Sequence, residues 1–149
     1  MKATATIRLG MILFLVFSFT GLLKAQNPEP LWQVLSPAGD WLGTDNTARG
    51  MAYNPSTNHI LVPTRKGGTR VVLLDANNGD SLATLNMDGV SGGTFTLNKI
   101  EVASDGRIFG ANLVLDGNNF RLYEWENEAA APELIYTSSA SDNIGLRLG

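Results

Sequence analysis

Short apolar segments separated by polar turns set the pattern of this chain from residue 50 onward. In the first such stretch the turns are 54–57, where proline fixes φ, and 75–79, where glycine accepts positive φ. β-Branched and leucine side chains fill the segments between the turns, as is typical of strands. After a first strand around Met51 and Tyr53, the pattern predicts strands at 59–64, 70–74 and 81–85.

The same plan recurs after an interval that is typical of a repeat protein. Val102 takes the place of Tyr53, and Leu122 takes the place of Val72. A third copy is predicted to start near Asp142. The strands that follow Val102 are predicted at 107–113, 120–125 and 133–137.

Four short strands in a unit of this length are typical of a blade of a β-propeller, in which each sheet covers its neighbours around an axis. We therefore predict an all-β fold, a partial β-propeller of about two and a half four-stranded antiparallel blades. Because a closed propeller takes about 4–8 blades, we expect an N-terminal fragment whose remaining blades come from a longer chain. The predicted parts of residues 31–149 are a ring-closing strand at 31–35, blade one at 50–85, blade two at 98–137 and the start of blade three at 142–149.

The N-terminal segment 1–25 has the layout of a secretory signal peptide, with a basic start, an apolar helix-forming run and a small residue before Gln26. An uncleaved membrane anchor is the alternative, but the apolar run is shorter than the roughly 20 residues that a spanning helix needs. Residues 26–30 are polar and proline-containing, and we interpret them as a flexible lead-in. The expected location is secreted, at the cell surface or periplasmic.

Charge and composition exclude several classes of partner. Without Lys2, Arg8 and Lys24 of the signal peptide, the basic residues fall from 11 to 8 against 14 acidic residues, a net charge of −6. This balance argues against binding to nucleic acid and to anionic membrane surfaces. The absence of cysteine from the sequence removes disulfides, cysteine-based zinc clusters and thiol nucleophiles, and we predict no cofactor.

Several segments resemble known propeller repeats. Residues 70–80 (RVVLLDANNGD), followed by Leu82 and Thr84, resemble the strand–turn–strand signature of bacterial YVTN-type repeats. Residues 50–58, 89–98 and 120–132 are together similar to a secreted bacterial propeller family of unknown function. The resemblance implies the propeller fold and carries no catalytic residue with it.

Residues with the chemistry for catalysis or metal binding have plainer interpretations. His59 is the single histidine and follows a turn, which favours a structural or surface role. Residues 75–80 are similar to a calcium loop, but the glycine falls at position five and no glutamate closes the set, so a hairpin turn is favoured. The carboxylates that alternate along one strand and its exit predict a solvated outer face, and the aromatic residues predict blade core rather than a sugar-binding platform. These residues are Glu124, Glu126 and Glu128, and Trp32, Trp41, Phe120, Tyr123 and Trp125.

A ligand site is predicted from position in the repeat. The first strand of a propeller blade is innermost, so the loop that leads into it borders the central channel, where polar groups from several blades converge. The residues that occupy these places are Asp45, Arg49, Asn98, Lys99, Asp142 and Arg147.

We therefore predict a non-catalytic binding or scaffold module with an unidentified protein or glycan ligand. The alternative is the N-terminal part of a propeller enzyme that acts on carbohydrates or lactones, and a third interpretation is an adhesin-like array. The enzyme alternative predicts histidine or carboxylate side chains in further channel-facing loops.

Overall fold

The computed structural model describes residues 28–36, 39–115 and 117–138. The chain divides into two compact units, Met1–Pro30 and Leu31–Gly149, and all the strands below lie in the second. The predicted signal peptide at 1–25 and the predicted third copy at 142–149 lie outside the described residues. In the part of the chain that is described, no helix has the length and apolar character to cross a membrane.

Within the described residues, eight strands form two four-stranded sheets with the same sequential order, and every pair of neighbouring strands is antiparallel. The all-β prediction and the two four-stranded antiparallel units are thus confirmed. The first sheet contains β1 (Ala52–Asn54), β2 (His59–Thr64), β3 (Arg70–Asp75) and β4 (Ser81–Thr84). The second sheet contains β5 (Phe95–Val102), β6 (Ile108–Leu113), β7 (Arg121–Trp125) and β8 (Glu133–Thr137).

The turn between β3 and β4 shows why the polar segments end the strands. The Gly79 amide donates to the Asp75 carbonyl at 2.8 Å, and the Asp75 carboxylate accepts from the Asn77 amide at 2.8 Å. Gly79 has φ of +80°, in the left-handed region that a residue with a Cβ rarely adopts. The segment is therefore a hairpin turn, as predicted in preference to a calcium loop.

The main core lies between the two sheets. The first sheet contributes Ala52, Leu61, Val71 and Leu73, and the second contributes Leu97, Ile100, Ile108, Tyr123 and Trp125. Trp125 is completely buried, and its indole nitrogen donates to the Asn86 carbonyl at 2.7 Å, so the burial leaves no polar group unpaired on the ring. Gly110 lies against this ring, because a Cβ at that position would come within 2.9 Å of it.

The opposite face of the first sheet is covered by the segment that precedes β1. Trp41 packs on Val62, Val72 and Leu74, and Val34 lies against the same cluster. Residues 31–35, predicted as a ring-closing strand, pair with no strand among the described residues, and their role in closing a ring against a further blade stays a prediction. They are held instead by side chains, since the Trp32 indole donates to the Ala76 carbonyl at 2.8 Å.

Two backbone features relate the third strand of one sheet to the third strand of the other. The first is a hydrogen bond from the segment that follows the fourth strand. Leu85 donates its amide to the Val71 carbonyl, and Ser138 donates to the Phe120 carbonyl, each at 3.0 Å. Val71 in the first sheet is therefore equivalent to Phe120 in the second.

The second feature is an irregularity in the pairing of the third and fourth strands. The register shifts between Leu73 and Leu74 in the first sheet, and between Leu122 and Tyr123 in the second. Leu73 is thus equivalent to Leu122, whereas the sequence pattern matched Val72 to Leu122. The predicted spacing for this strand is off by one, which matters because a shift of one residue exchanges the two faces of a strand.

The second sheet has one apolar face that no described segment covers fully. A cavity of about 250 Å³ lies on this face. The apolar residues that line it include Phe109, Ala111, Leu113, Phe120 and Leu122.

Candidate functional site

A pocket lies where the segment before β1 meets β5, so both sheets contribute to it. Its volume is about 490 Å³, within the range of small-molecule sites. The residues that line it are Ala48, Arg49, Gly50, Phe95, Asn98, Lys99 and Leu113. We call this the basic pocket.

Backbone pairing fixes the segment that carries Arg49. Ala48 forms an isolated antiparallel bridge with Thr64 at the end of β2. On either side of the bridge, the Arg49 amide donates to the Pro63 carbonyl at 3.3 Å and the Arg65 amide donates to the Thr47 carbonyl at 3.0 Å. The loop thus continues the ladder of β2 beyond β1, which places Arg49 at a defined position on the rim of the pocket.

One carbonyl oxygen then orients two guanidinium groups. The Asn46 carbonyl accepts from Arg49 Nε at 3.1 Å and from Arg65 Nη2 at 3.4 Å. Asn46 has φ of +56°, which asparagine tolerates better than most residues. The Arg65 guanidinium carbon also lies 4.0 Å from the centre of the Phe95 ring, a cation–π contact with a residue of the pocket wall.

The other side of the pocket comes from the start of β5. Strand pairing between β5 and β6 shifts between Phe95 and Lys99, and such an irregularity bends a strand and re-aims its side chains. Asn98 and Lys99 lie at the end of this shift, and both line the pocket. Two cations and one amide therefore face the space, and none of its described lining residues is acidic.

The structure brings together three of the six predicted site residues, Arg49, Asn98 and Lys99. Asp45 lines a separate cavity of about 320 Å³, together with Lys66. Asp142 and Arg147 lie outside the described residues. Arg65, which the sequence did not single out, reaches the pocket wall through the Phe95 ring.

A second polar cluster joins the sheets around Glu128. Glu128 Oε1 accepts from Asn54 Nδ2 at 2.8 Å and from Thr57 Oγ1 at 2.7 Å, and Oε2 lies 2.7 Å from His59 Nδ1. The Glu128 side chain is only 12% exposed, so its predicted place on a solvated outer face is wrong. The loop after β7 instead lies on the hairpin between β1 and β2. We call these four residues the Glu128 clasp, and His59 has its structural role there.

A third polar group lies on the exposed side of the second sheet. Arg107 Nε donates to Asp105 Oδ2 at 2.8 Å, and Arg107 Nη1 donates to Glu124 Oε1 at 3.0 Å. The hydrogen bond from the Arg107 side chain lowers the pKa of Asp105 below its ordinary value, and the same bond raises the pKa of Arg107. Asp105 and Arg107 are about half exposed, so their ion pair is a local brace of the hairpin before β6.

Over the part of the chain that the structure describes, the fold is all-β, with two successive four-stranded sheets that pack face to face and a basic pocket where the segment before β1 meets β5. No protein-family model matches the chain, and no curated protein matches it.

Among solved structures, the chain is similar to a DUF4623 family protein from Bacteroides eggerthii DSM 20697, with 24% sequence identity and a TM-score of 0.56. The match covers 67% of this chain and 24% of that protein, so the chain spans about a quarter of the neighbour's length. At this identity the likeness concerns the fold alone. It supports the predicted link to a domain of unknown function and does not extend to YVTN-type repeats.

Proposed function

We propose that the chain is part of a secreted β-propeller and serves as a non-catalytic binding module, with the basic pocket as its ligand site. The observation that carries the proposal is that Arg49, in the segment before β1, and Asn98 and Lys99, on β5 of the second sheet, line one pocket. Propellers and solenoids build a ligand site from polar groups that converge from separate repeat units, on a scaffold that is otherwise structural.

The way in which the sheets face each other supports a propeller. In a propeller, the rotation that carries one blade onto the next leaves equivalent residues facing the same way. Leu73 faces the second sheet, and its equivalent, Leu122, lies on the second sheet's far face. Leu74 faces away from the second sheet, and its equivalent, Tyr123, faces back toward the first sheet. This relation is the one expected of successive blades, and a sandwich of two mirror-like halves would not have it.

The open apolar face of the second sheet fits the same proposal. Leu61 and Val71 on the first sheet are fully buried because the second sheet lies over them. The corresponding face of the second sheet presents Phe109, Ala111 and Leu122 to a cavity. We propose that a further blade of the propeller covers this face, as the second sheet covers the first.

The proposal that the ligand site is non-catalytic rests on the lining of the pocket. General acid–base chemistry is carried out most often by a histidine, and otherwise by a carboxylate, lysine, tyrosine or cysteine, within hydrogen-bonding reach of the substrate, and the described lining has no histidine and no carboxylate. The described lining offers two cations and an amide. His59 and Glu128 lie against each other in the clasp. Secretion is proposed from the signal-peptide layout of residues 1–25.

The test is a binding screen of the full chain against neutral and acidic glycans and against extracellular proteins. We expect a ligand whose retention is lost when Arg49 and Lys99 are both changed to alanine. Arg107→Ala, compared with each single substitution, is the control, since it removes one positive charge from an exposed site outside the pocket. Binding that survives the double substitution unchanged would refute the proposed site.

A further inference from the structure

The geometry points to an oxyanion as the group that the basic pocket binds, so that its ligand is a small acidic molecule that carries a carboxylate or a phosphate. This inference rests on the proposed function and names the chemical class of its ligand. It follows from three features, which are the convergence of Arg49 in the pocket lining and Arg65 behind the Phe95 ring, the lack of an acidic partner for either arginine among the described residues, and the apolar remainder of the pocket wall.

The first feature is the convergence of two guanidinium groups on one oxygen. Arg49 Nε and Arg65 Nη2 both donate to the Asn46 carbonyl, at 3.1 and 3.4 Å. A carbonyl dipole carries only a partial charge, so it compensates two full positive charges poorly. Two guanidinium groups that share one acceptor also repel each other. An anion bound beside them would remove the repulsion.

The second feature is that neither arginine has an acidic partner among the described residues. Ion pairs with acidic side chains are made within the described residues by His59, Arg70 and Arg107, for example, whereas Arg49 and Arg65 donate to a backbone carbonyl there. Arg65 Nη1 is also buried with no hydrogen-bond partner in the described part of the chain. In a chain with more acidic than basic residues, a concentration of cations around one pocket is a local feature rather than a general property of the surface.

The third feature is the rest of the wall, which suits a compact organic body. Phe95, Leu113 and Ala48 supply apolar surface, and the Phe95 ring is held by Arg65 behind it. The Asn98 amide adds one neutral hydrogen-bonding group. A ligand with an oxyanion at one end and a ring or short carbon chain at the other would satisfy both parts of the lining.

Carboxylate and phosphate share this chemistry, and three matched probes separate them. Glucuronate carries a carboxylate, glucose 6-phosphate carries a phosphate, and glucose carries neither on nearly the same ring. The full chain, labelled with ¹⁵N-arginine, is titrated with each probe at low ionic strength, and the readout is the shift of the Arg49 Nε–H resonance. We expect at least one acidic probe to shift this resonance saturably, glucose to leave it unchanged, and the affinity to fall as salt is added.

The variants Arg49→Gln and Lys99→Gln test whether these side chains hold the anion. Each removes a charge-assisted hydrogen bond donor, so we expect the affinity for the acidic probe to fall about tenfold or more. Arg107→Gln removes the same charge outside the pocket and should leave the affinity within about twofold, as is usual for a distant exposed charge. Circular dichroism of each variant checks that it folds.

The outcomes separate this inference from the proposed function. If neither acidic probe shifts the Arg49 resonance, or if glucose binds as well as glucuronate, the oxyanion inference is overturned. A neutral ligand that is lost in the Arg49 and Lys99 variants would overturn it while the binding module stands. If the acidic probes bind as expected but the screened ligands ignore both substitutions, the oxyanion site stands and the proposed function falls.

Discussion

Replacement of Glu128 by alanine is expected to loosen the attachment of the two sheets to each other. The clasp connects the loop after β7 to the hairpin between β1 and β2, which lies far away in the sequence. Removal of the carboxylate leaves three groups without their acceptor, on Asn54, Thr57 and His59.

The magnitude follows from how well each group can reach water. Asn54 is 2% exposed, and its Oδ1 is held by the Ser56 amide at 3.0 Å, so its Nδ2 cannot turn outward. An unsatisfied buried donor costs about 1–3 kcal/mol. Thr57 is exposed and His59 is half-buried, so each loses only the net value of a hydrogen bond, about 0.5–1.5 kcal/mol at most. We expect the free energy of unfolding to fall by about 2–6 kcal/mol, a large part of the stability of a small domain.

Urea unfolding followed by tryptophan fluorescence measures this change, because Trp125 is completely buried between the sheets. Glu128→Gln retains an oxygen acceptor but loses the charge, so its effect should lie between those of alanine and the wild type. Glu126→Ala is the control, since it removes an exposed carboxylate from the same loop and should change stability by less than about 0.5 kcal/mol. If Glu128→Ala were no more destabilising than Glu126→Ala, the clasp would have no role in holding the sheets together.

Three further predictions concern the sheets themselves. Gly110→Ala should destabilise the chain by about 1–3 kcal/mol in urea unfolding, because the added Cβ would lie 2.8 Å from a core leucine methyl and 2.9 Å from the core indole. Leu73→Asp should prevent folding, because it places an unpaired charge in the core, whereas Leu122→Asp, its equivalent on the open face, should leave the folded state detectable by circular dichroism. The hydrogen bond from Arg107 lowers the pKa of Asp105 from its ordinary value of 3.8. The stabilisation that Asp105 contributes is therefore fully present when the pH is above 3.8, and it is lost as the pH falls through the lowered pKa. The stability difference between Asp105→Asn and the wild type should therefore shrink on acidification below pH 3.8 and be constant at neutral pH.

The strands and turns could be predicted from the sequence because they depend on local chemistry. The strand β2, for example, begins and ends at the predicted residues, and the hairpin after Asp75 forms from the glycine and asparagine that marked it. The burial of Trp125 and Tyr123 could also be predicted, because large aromatic side chains on alternating positions of a strand need a core. The segment 31–35 has the composition of a strand, but a strand also needs a partner with a free edge, and composition does not supply one.

Spacing was harder to predict than pattern. In strands of similar composition, a match of Leu122 to Val72 pairs apolar residues as well as a match of Leu122 to Leu73 does. Only the hydrogen bonds of Leu85 and Ser138 and the two register shifts decide between these matches. The difference of one position decides which face of the second sheet lies against the first, and thus whether the arrangement is that expected of successive blades.

The residues of the candidate site also fall into two groups. Some are placed by their position within one repeat, and others are placed by contacts between the two sheets. Arg49 lies where the sequence placed it, in the loop that leads into the first strand of a unit, whereas Asn98 and Lys99 lie within β5 and line the same pocket from there. Arg65 could not be predicted, because it follows β2 and does not lie in a loop that leads into a first strand, and it meets Phe95 only when the sheets are packed. The role of Glu128 was missed for the same reason. A carboxylate that follows a strand is usually exposed to solvent, and Glu128 is shielded only because the first sheet supplies hydrogen-bond donors to it. Side chains that work within a repeat can thus be predicted from one copy, whereas those that join two repeats depend on the packing of the pair.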